Sequence, residues 1–279
     1  MTAGPGRLER ADDGLFGPES VTWRIMSEPV MWIAGLRAMY IQALHPRVMK
    51  GTWQNTAFAT RDGAWGRFTR TVEFVRVRTY GTTADVQRIG ARLRKVHSSL
   101  RGVADDGSQF RLDEPELLLW VHCGEIGSYA EIARRSGVHV TASELDEFVD
   151  EQRRSAAVVG LDPAIVPASM AELDAYYDSM RPHLALCPEA RQAFRASFTP
   201  KVPVAYSPLR LIVPPMNVLA YATLPKWARR LYGTPALGLT DPAVTVALRA
   251  AFESSTRIPP QLLLVPGVAI ARRVRGTAA

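Results

Sequence analysis

EPELLLWVHCGEIGSYAEIARR, residues 114–135, decides the fold. Its opening ELLLWVH is apolar on every side. A helical segment with no polar face has no surface to offer water, so it belongs at the centre of a packed body. Pro115 lies just inside the start, behind Asp113, where a missing N–H is harmless and the fixed φ already suits a helix. The stretch therefore predicts a buried helix from Asp113 to about Arg135, with other helices around it.

Helix signals dominate on both sides. Ser27-Glu28-Pro29 opens a segment that runs to about Leu44, where His45-Pro46 should end it. A second helix spans about Ala64 to Thr79 and is closed by Tyr80-Gly81. A third runs from Thr83 to Arg101, with Gly102 as its stop. Asp105-Asp106-Gly107 is a turn, and the FRLD after it is set to pair in a small hairpin. T-A-S-E at 141–144 and S-M-A-E at 169–172 are capping boxes, separated by the LDP at 161–163. Asp241-Pro242 begins a helix to about Thr256. Eleven of the 20 prolines follow Thr199, so helices there should be shorter and kinked. With no repeat, low-complexity tract or clear linker, the expected architecture is all-α. A poorly ordered tail over residues 1–20 should precede a single helical domain over 21–279.

The chain has 279 residues, 47% of them hydrophobic, enough for a sizeable core. Its net charge of +7 is local, because residues 67–101 hold nine basic side chains against Glu73 and Asp85. Such a surplus suits an anionic cofactor or an anionic lipid surface. Nucleic acid is disfavoured, since no row of aromatics interleaves the cations and no nucleic-acid motif is present. Cys123 and Cys187 are far apart and in no metal-binding spacing, which fits a reducing cytoplasm. The opening MTAGPGRLERADDG has no apolar core of a signal peptide, and no apolar run is long enough to span a bilayer. LLLVPGVAIARRVRG near the end is expected to dock as a helix or to touch a membrane surface peripherally.

The chemistry centres on VQRIGARLRKVHSSLRGV, residues 86–103. Val86, Ile89, Leu93, Val96 and Leu100 form an apolar stripe, and His97 lies on it. An imidazole there is either a core group hydrogen-bonded to a carbonyl or a ligand. In the preceding helix, Arg67, Arg70, Thr71 and Phe74 recur at spacings of three and four and make a mixed face, beside an apolar face of Phe68, Val72 and Val75. The two helices can form two walls of one pocket. The alternative is a pair of surface arginines with their stems along apolar surface. His45 and His122 also sit in or beside apolar segments, whereas His139 and His183 should be at the surface. His122 shares a helix face with Glu125, as in half of a di-iron site, but no second helix offers the matching pair. One neutral imidazole suffices for a haem iron, whereas a bare ion needs three or four ligands. Haem propionates would also use part of the arginine surplus.

Four ordered stretches carry a resemblance: QALHPRVMKGTWQNTAF at 42–58, RFTRT at 67–71, RKVHSSLRG at 94–102 and EPELLLWVH at 114–122. VGLDPAIVPASMAELDAYY at 159–177 agrees with them. Over residues 25–225 the chain resembles the bacterial haem proteins related to latex clearing protein (rubber oxygenase) and the fungal oxygenase of mycophenolic acid biosynthesis. The resemblance implies a globin-like all-α domain with a haem pocket, haem b on His97, and Arg67, Arg70 and Thr71 as the distal arginine, basic residue and threonine. Where latex clearing protein has a lysine able to close on the iron, Arg70 stands here. A guanidinium stays protonated and is a poor iron ligand, so Arg70 is expected to donate to dioxygen instead. The chain departs from many relatives at Asn55-Thr56, where they have His-Ser, and at Gly127, where they have an acid. Glu125 is a weak candidate for a general base. The implied activity is oxygenation of an apolar isoprenoid, lipid or secondary-metabolite substrate by dioxygen. The alternative is a non-catalytic haem or hydrophobic-ligand binding protein.

Overall fold

The structure, a computed structural model, describes residues 11–56, 61–199, 209–233 and 240–257. Twelve α-helices and one two-stranded hairpin make up these residues, an all-α fold. In chain order they are α1 (Val21–Met26), α2 (Met31–Gln42), α3 (Pro46–Gln54), α4 (Arg61–Tyr80), α5 (Thr83–Ser99), β1 (Arg101–Val103), β2 (Gln109–Arg111), α6 (Pro115–Ser136), α7 (Ala142–Val159), α8 (Met170–Met180), α9 (Pro188–Ser197), α10 (Leu209–Ala222), α11 (Lys226–Tyr232) and α12 (Asp241–Thr256).

α6 is the central helix. Fourteen of its 22 residues are buried, more than one amphipathic stripe contains. It closes on Gly137, whose φ of 96° is the left-handed geometry that favours glycine at a helix C-terminus. α2 is its main partner. They approach closely at Gly124, where an added Cβ would lie 3.1 Å from the Gln42 side chain. Two hydrogen bonds set the register: Trp120 Nε1 donates to the Gln42 carbonyl at 3.1 Å, and Gln42 Nε2 donates to the Val121 carbonyl at 2.9 Å. Around this pair α7, α10 and α12 add Phe148, Tyr221 and Leu248 to the core, and Leu224 joins them from the turn after α10. The apolar segment at 216–224 is thus core, with Ala220, Tyr221, Ala222 and Leu224 buried. Each fully buried large apolar side chain contributes roughly 1.5–3 kcal/mol.

Helix signals hold where they are local. Thr141 closes a full capping box with Glu144, and α12 starts at Asp241-Pro242 and ends at Thr256. The second box closes only in half. Ser169 Oγ accepts from the Glu172 N–H, but the Glu172 carboxylate takes the Ala168 N–H instead. His45-Pro46 ends α2 and also starts α3: Pro46 occupies its first turn, and His45 Nδ1 accepts from the Val48 N–H at 3.5 Å. α1, capped by Ser20, precedes the expected start at Ser27. α5 stops at Ser99 because Arg101–Val103 pairs antiparallel with Gln109–Arg111. α10 runs fourteen residues despite Pro214 and Pro215; the residues four positions back, Arg210 and Leu211, are exposed, so water can serve their carbonyls.

Part of the tail expected over residues 1–20 is held on the body. Asp12 Oδ1 accepts from the Thr83 N–H at 2.8 Å, and Phe16 is buried beneath the Arg154 guanidinium. LLLVPGVAIARRVRG lies outside the described residues. Among the described residues no helix is long and apolar enough to cross a membrane.

Two buried imidazoles make the fold acid-sensitive. Burial, helped by Arg47 and His183, lowers the pKa of His45 from 6.5 to about 4. Burial also lowers that of His122 to about 4, against the pull of Glu125. Each imidazole protonates near 6.5 when unfolded but only near 4 when folded. Their contribution to stability is therefore complete above the upper value and lost as pH falls through this window. The loss should reach about 3 kcal/mol per histidine at the acid end. Urea melts at stepped pH should show the midpoint falling over this range, and His122→Phe should flatten the slope.

Candidate functional site

α4 and α5 form an antiparallel hairpin, and its tight corner is Gly81. A Cβ there would lie 2.5 Å from the Val77 carbonyl oxygen. Beyond it, Thr82 and Asp85 make a reciprocal capping box that starts α5. Arg67 lies about 14 residues before the corner and His97 about 16 after it. At about 1.5 Å per residue the two reach nearly the same height on facing helices.

The apolar stripe of α5 is only partly covered by protein. Val86 and Gly90 are buried, and Gly90 lets α7 come close: its added Cβ would meet Val158 Cγ1 at 2.8 Å. Ile89, Leu93, His97 and Leu100 are half-buried. Val96, expected on this stripe, is 45% exposed. It lies roughly 80° around the helix from Val86, at the margin of the stripe.

Neither ring nitrogen of His97 has a hydrogen-bond partner. Nδ1 is shut off from solvent. The ring is therefore not the carbonyl-bonded core imidazole that its position allowed. Burial, and then Arg67, lower its pKa, while Asp113 opposes them. The imidazole is thus neutral, with a lone pair available. Arg67 is exposed, yet desolvation by its neighbours and then Arg70 lower the pKa of its guanidinium. Its Nη1 donates to Thr56 Oγ1 at 3.3 Å. Arg70 is exposed and folds back over Gly66, with Nη1 3.2 Å from where a Cβ would stand. Among the described residues no carboxylate pairs with it. Thr71 shares this exposed face, but its hydroxyl donates to the Arg67 carbonyl at 3.1 Å. In this arrangement the two guanidiniums are the donors and Thr71 offers lone pairs.

The rest of the local arginine surplus is partly spent. Arg76 pairs with Glu73, and Arg88 with Asp85. Arg78 is the residue that sequence reasoning counted only as charge. Buried in the last turn of α4, it donates to both oxygens of Glu125 at 2.6 and 3.1 Å and covers the Phe74 ring. Burial alone would raise the pKa of Glu125, but Arg78 outweighs it and holds the group ionised. A carboxylate so engaged is a poor general base and a poor half of a metal pair, although His122 is one turn away with Nε2 unpartnered. Among the described residues no group of three or more His, Cys, Asp or Glu side chains is placed to hold a bare ion. His139 and His183 are exposed, as expected. A separate cleft of about 1000 Å³ opens beside α6, α8, α11 and α12, and no residue of α4 or α5 lines it.

The unusual residues have local reasons. Asn55 Nδ2 donates to the Gly51 and Arg101 carbonyls at 2.9 and 2.7 Å and ties α3 to β1, while Thr56 accepts from Arg67. At Gly127 an added Cβ would lie 2.4 Å from the Tyr177 hydroxyl, which donates to the Cys123 carbonyl at 2.7 Å. An acid at 127 has no room while Tyr177 stays there. Gly127→Asp should therefore destabilise the fold by about 1–3 kcal/mol in urea unfolding, and pairing it with Tyr177→Ala should recover part of the loss.

A family model described as ER-bound oxygenase mpaB/B'/Rubber oxygenase, catalytic domain, matches residues 23–254. No curated protein and no solved structure matches the chain. The matched span runs from α1 to nearly the end of α12 and includes Arg67, Arg70, Thr71 and His97. The chain belongs to the family of mpaB/B' and rubber oxygenase catalytic domains, a family of oxygenases.

Proposed function

We propose that this oxygenase works with haem b held through His97 and applies dioxygen to a small apolar substrate of isoprenoid, lipid or secondary-metabolite type. The observation that carries the reading is an imidazole committed to no protein group, on a half-covered apolar stripe, across from Arg67. Leaving a buried polar nitrogen unpartnered costs about 1–3 kcal/mol. The donor set fits haem, whose iron a single imidazole can hold.

Bound there, a haem would supply the iron centre at which dioxygen is activated. The chain's own residues do the rest. His97 offers a neutral nitrogen, because burial disfavours its protonated form. Arg67 and Arg70 present fixed positive charge and N–H donors to oxygen atoms that gain negative charge, and preorganised donors of this kind are worth most where water is scarce. Thr56 holds the Arg67 guanidinium, and the Thr71 hydroxyl is anchored to the turn below. Ile89, Leu93 and Leu100 give the site an apolar side suited to the porphyrin or to substrate.

Protein purified from haem-replete cells should show a Soret band. His97→Ala should lose it, and added imidazole should restore part of it. Haem-free wild-type protein from such cells would sink the reading. Arg67→Leu and Arg70→Leu should each lower substrate-dependent dioxygen uptake by about 10²-fold with the Soret band retained. A retained Soret band without uptake on any isoprenoid or lipid substrate would instead favour a haem or hydrophobic-ligand carrier.

A further inference from the structure

Arg37 of α2 is 6% exposed, and among the described residues no carboxylate lies within ion-pair distance of it. Nη1 donates to Ser128 Oγ at 2.8 Å, and Nε to the Thr223 carbonyl at 3.4 Å. Nη2 makes no hydrogen bond, yet it is not sealed from solvent. Arg37 lines the cleft of about 1000 Å³ beside α6, α8, α11 and α12, so the free end of the guanidinium opens there. Desolvation lowers its pKa most, and only Tyr177 and Glu131 pull upward. A buried guanidinium held by neutral oxygens alone is a cation without its counter-charge.

The rest of the cleft does not supply one. Glu131 is taken by Arg134 at 2.6 Å and Arg135 at 3.4 Å. Asp178 is taken by Arg181 at 2.5 Å, and Asp241 by Arg229 at 3.3 Å. Arg37, Lys226 and Arg249 remain, with Asp174 as the lining carboxylate that has no ion pair. Burial, Asp178 and Glu131 already raise the Asp174 pKa, so its charge is poorly placed to serve Arg37. The apolar lining that solvent reaches includes Met170, Val246 and the Trp227 ring, which the Arg181 guanidinium covers at 5.8 Å, while Leu173 and Leu224 lie beneath it, buried.

We propose that this cleft is a second ligand site, one that binds an organic anion with its carboxylate or phosphate head at Arg37 Nη2 and its apolar body along Met170, Trp227 and Val246. Lys226 adds charge to the head from α11. The site shares no residue with the α4–α5 face, so it stands or falls independently of haem binding.

Calorimetric titration of the purified full-length protein with octanoate, octyl phosphate and octanol tests this. One of the two anions should bind at a single site, and the head that binds tighter gives the ligand class. Octanol, which lacks the charge, should bind at least about tenfold more weakly. Arg37→Met should abolish anion binding. Should that variant not fold, two exposed positions decide: Lys226→Glu should weaken binding about tenfold, and Asp174→Asn should tighten it about threefold. A tightening cannot arise from misfolding. Equal binding of octanol, no binding of either anion, or an Asp174→Asn variant that binds no tighter would each overturn the proposal. Inorganic phosphate binding as tightly as octyl phosphate would overturn the role given to the apolar lining.

Discussion

The ion pair between Arg78 and Glu125 is the contact on which the geometry of the α4–α5 face depends. Arg78 and Thr79 are the buried residues of α4 among those described, so a charge pair fastens the C-terminal end of this long helix, while half-buried Val75 and Phe68 add apolar contacts along it. The pair has two hydrogen bonds, and its side chains are 4% and 18% exposed. A two-pronged contact fixes rotation as well as distance, which a greasy contact does less well. Tyr80 packs edge-on against Trp23 of α1 with ring centroids 4.9 Å apart and holds the same end. Two to three turns away, the helix carries Arg67 and Arg70 on its exposed face. Losing either member of the pair would strand a buried charge, typically at a cost of 3–5 kcal/mol.

α6 serves both sides of the molecule. Glu125 and Gly127 are two residues apart and so point roughly 200° apart around the helix. One side receives the arginine of the α4–α5 hairpin. The other meets Tyr177 of α8 and opens on the cleft that Arg37 lines. Each side confronts a buried guanidinium, and the two solutions differ. Arg78 has a carboxylate, and Arg37 has a hydroxyl and a carbonyl. The first arrangement is complete in itself and structural. The second leaves donor capacity pointing into open space.

Asn55, Thr56 and Gly127 also fit into this geometry. Asn55 and Thr56 bond to α3, β1 and Arg67, which places the end of α3 beside the exposed face of α4. Gly127 permits the Tyr177 ring to press on α6. These positions are thus integrated into packing and hydrogen bonding, and the face that holds Arg67, Arg70 and His97 is left intact.

Sequence alone determined what depends on neighbours in the chain. The unbroken apolar character of ELLLWVH set α6 at the centre, the capping box at Thr141 and the Asp241-Pro242 start set α7 and α12, and helical spacing put His97 on the inner stripe and Arg67, Arg70 and Thr71 on one face. These follow from backbone hydrogen bonding and a 3.6-residue period, which act over a few residues. Only the tertiary structure decided what those side chains meet. It gave Glu125 to Arg78, turned the Thr71 hydroxyl to its own helix, left Val96 in solvent, and exposed a guanidinium at Arg37 that in sequence was one basic residue inside an apolar run. Such pairings join groups tens of residues apart, and their energies depend on burial and distance, which no local pattern encodes.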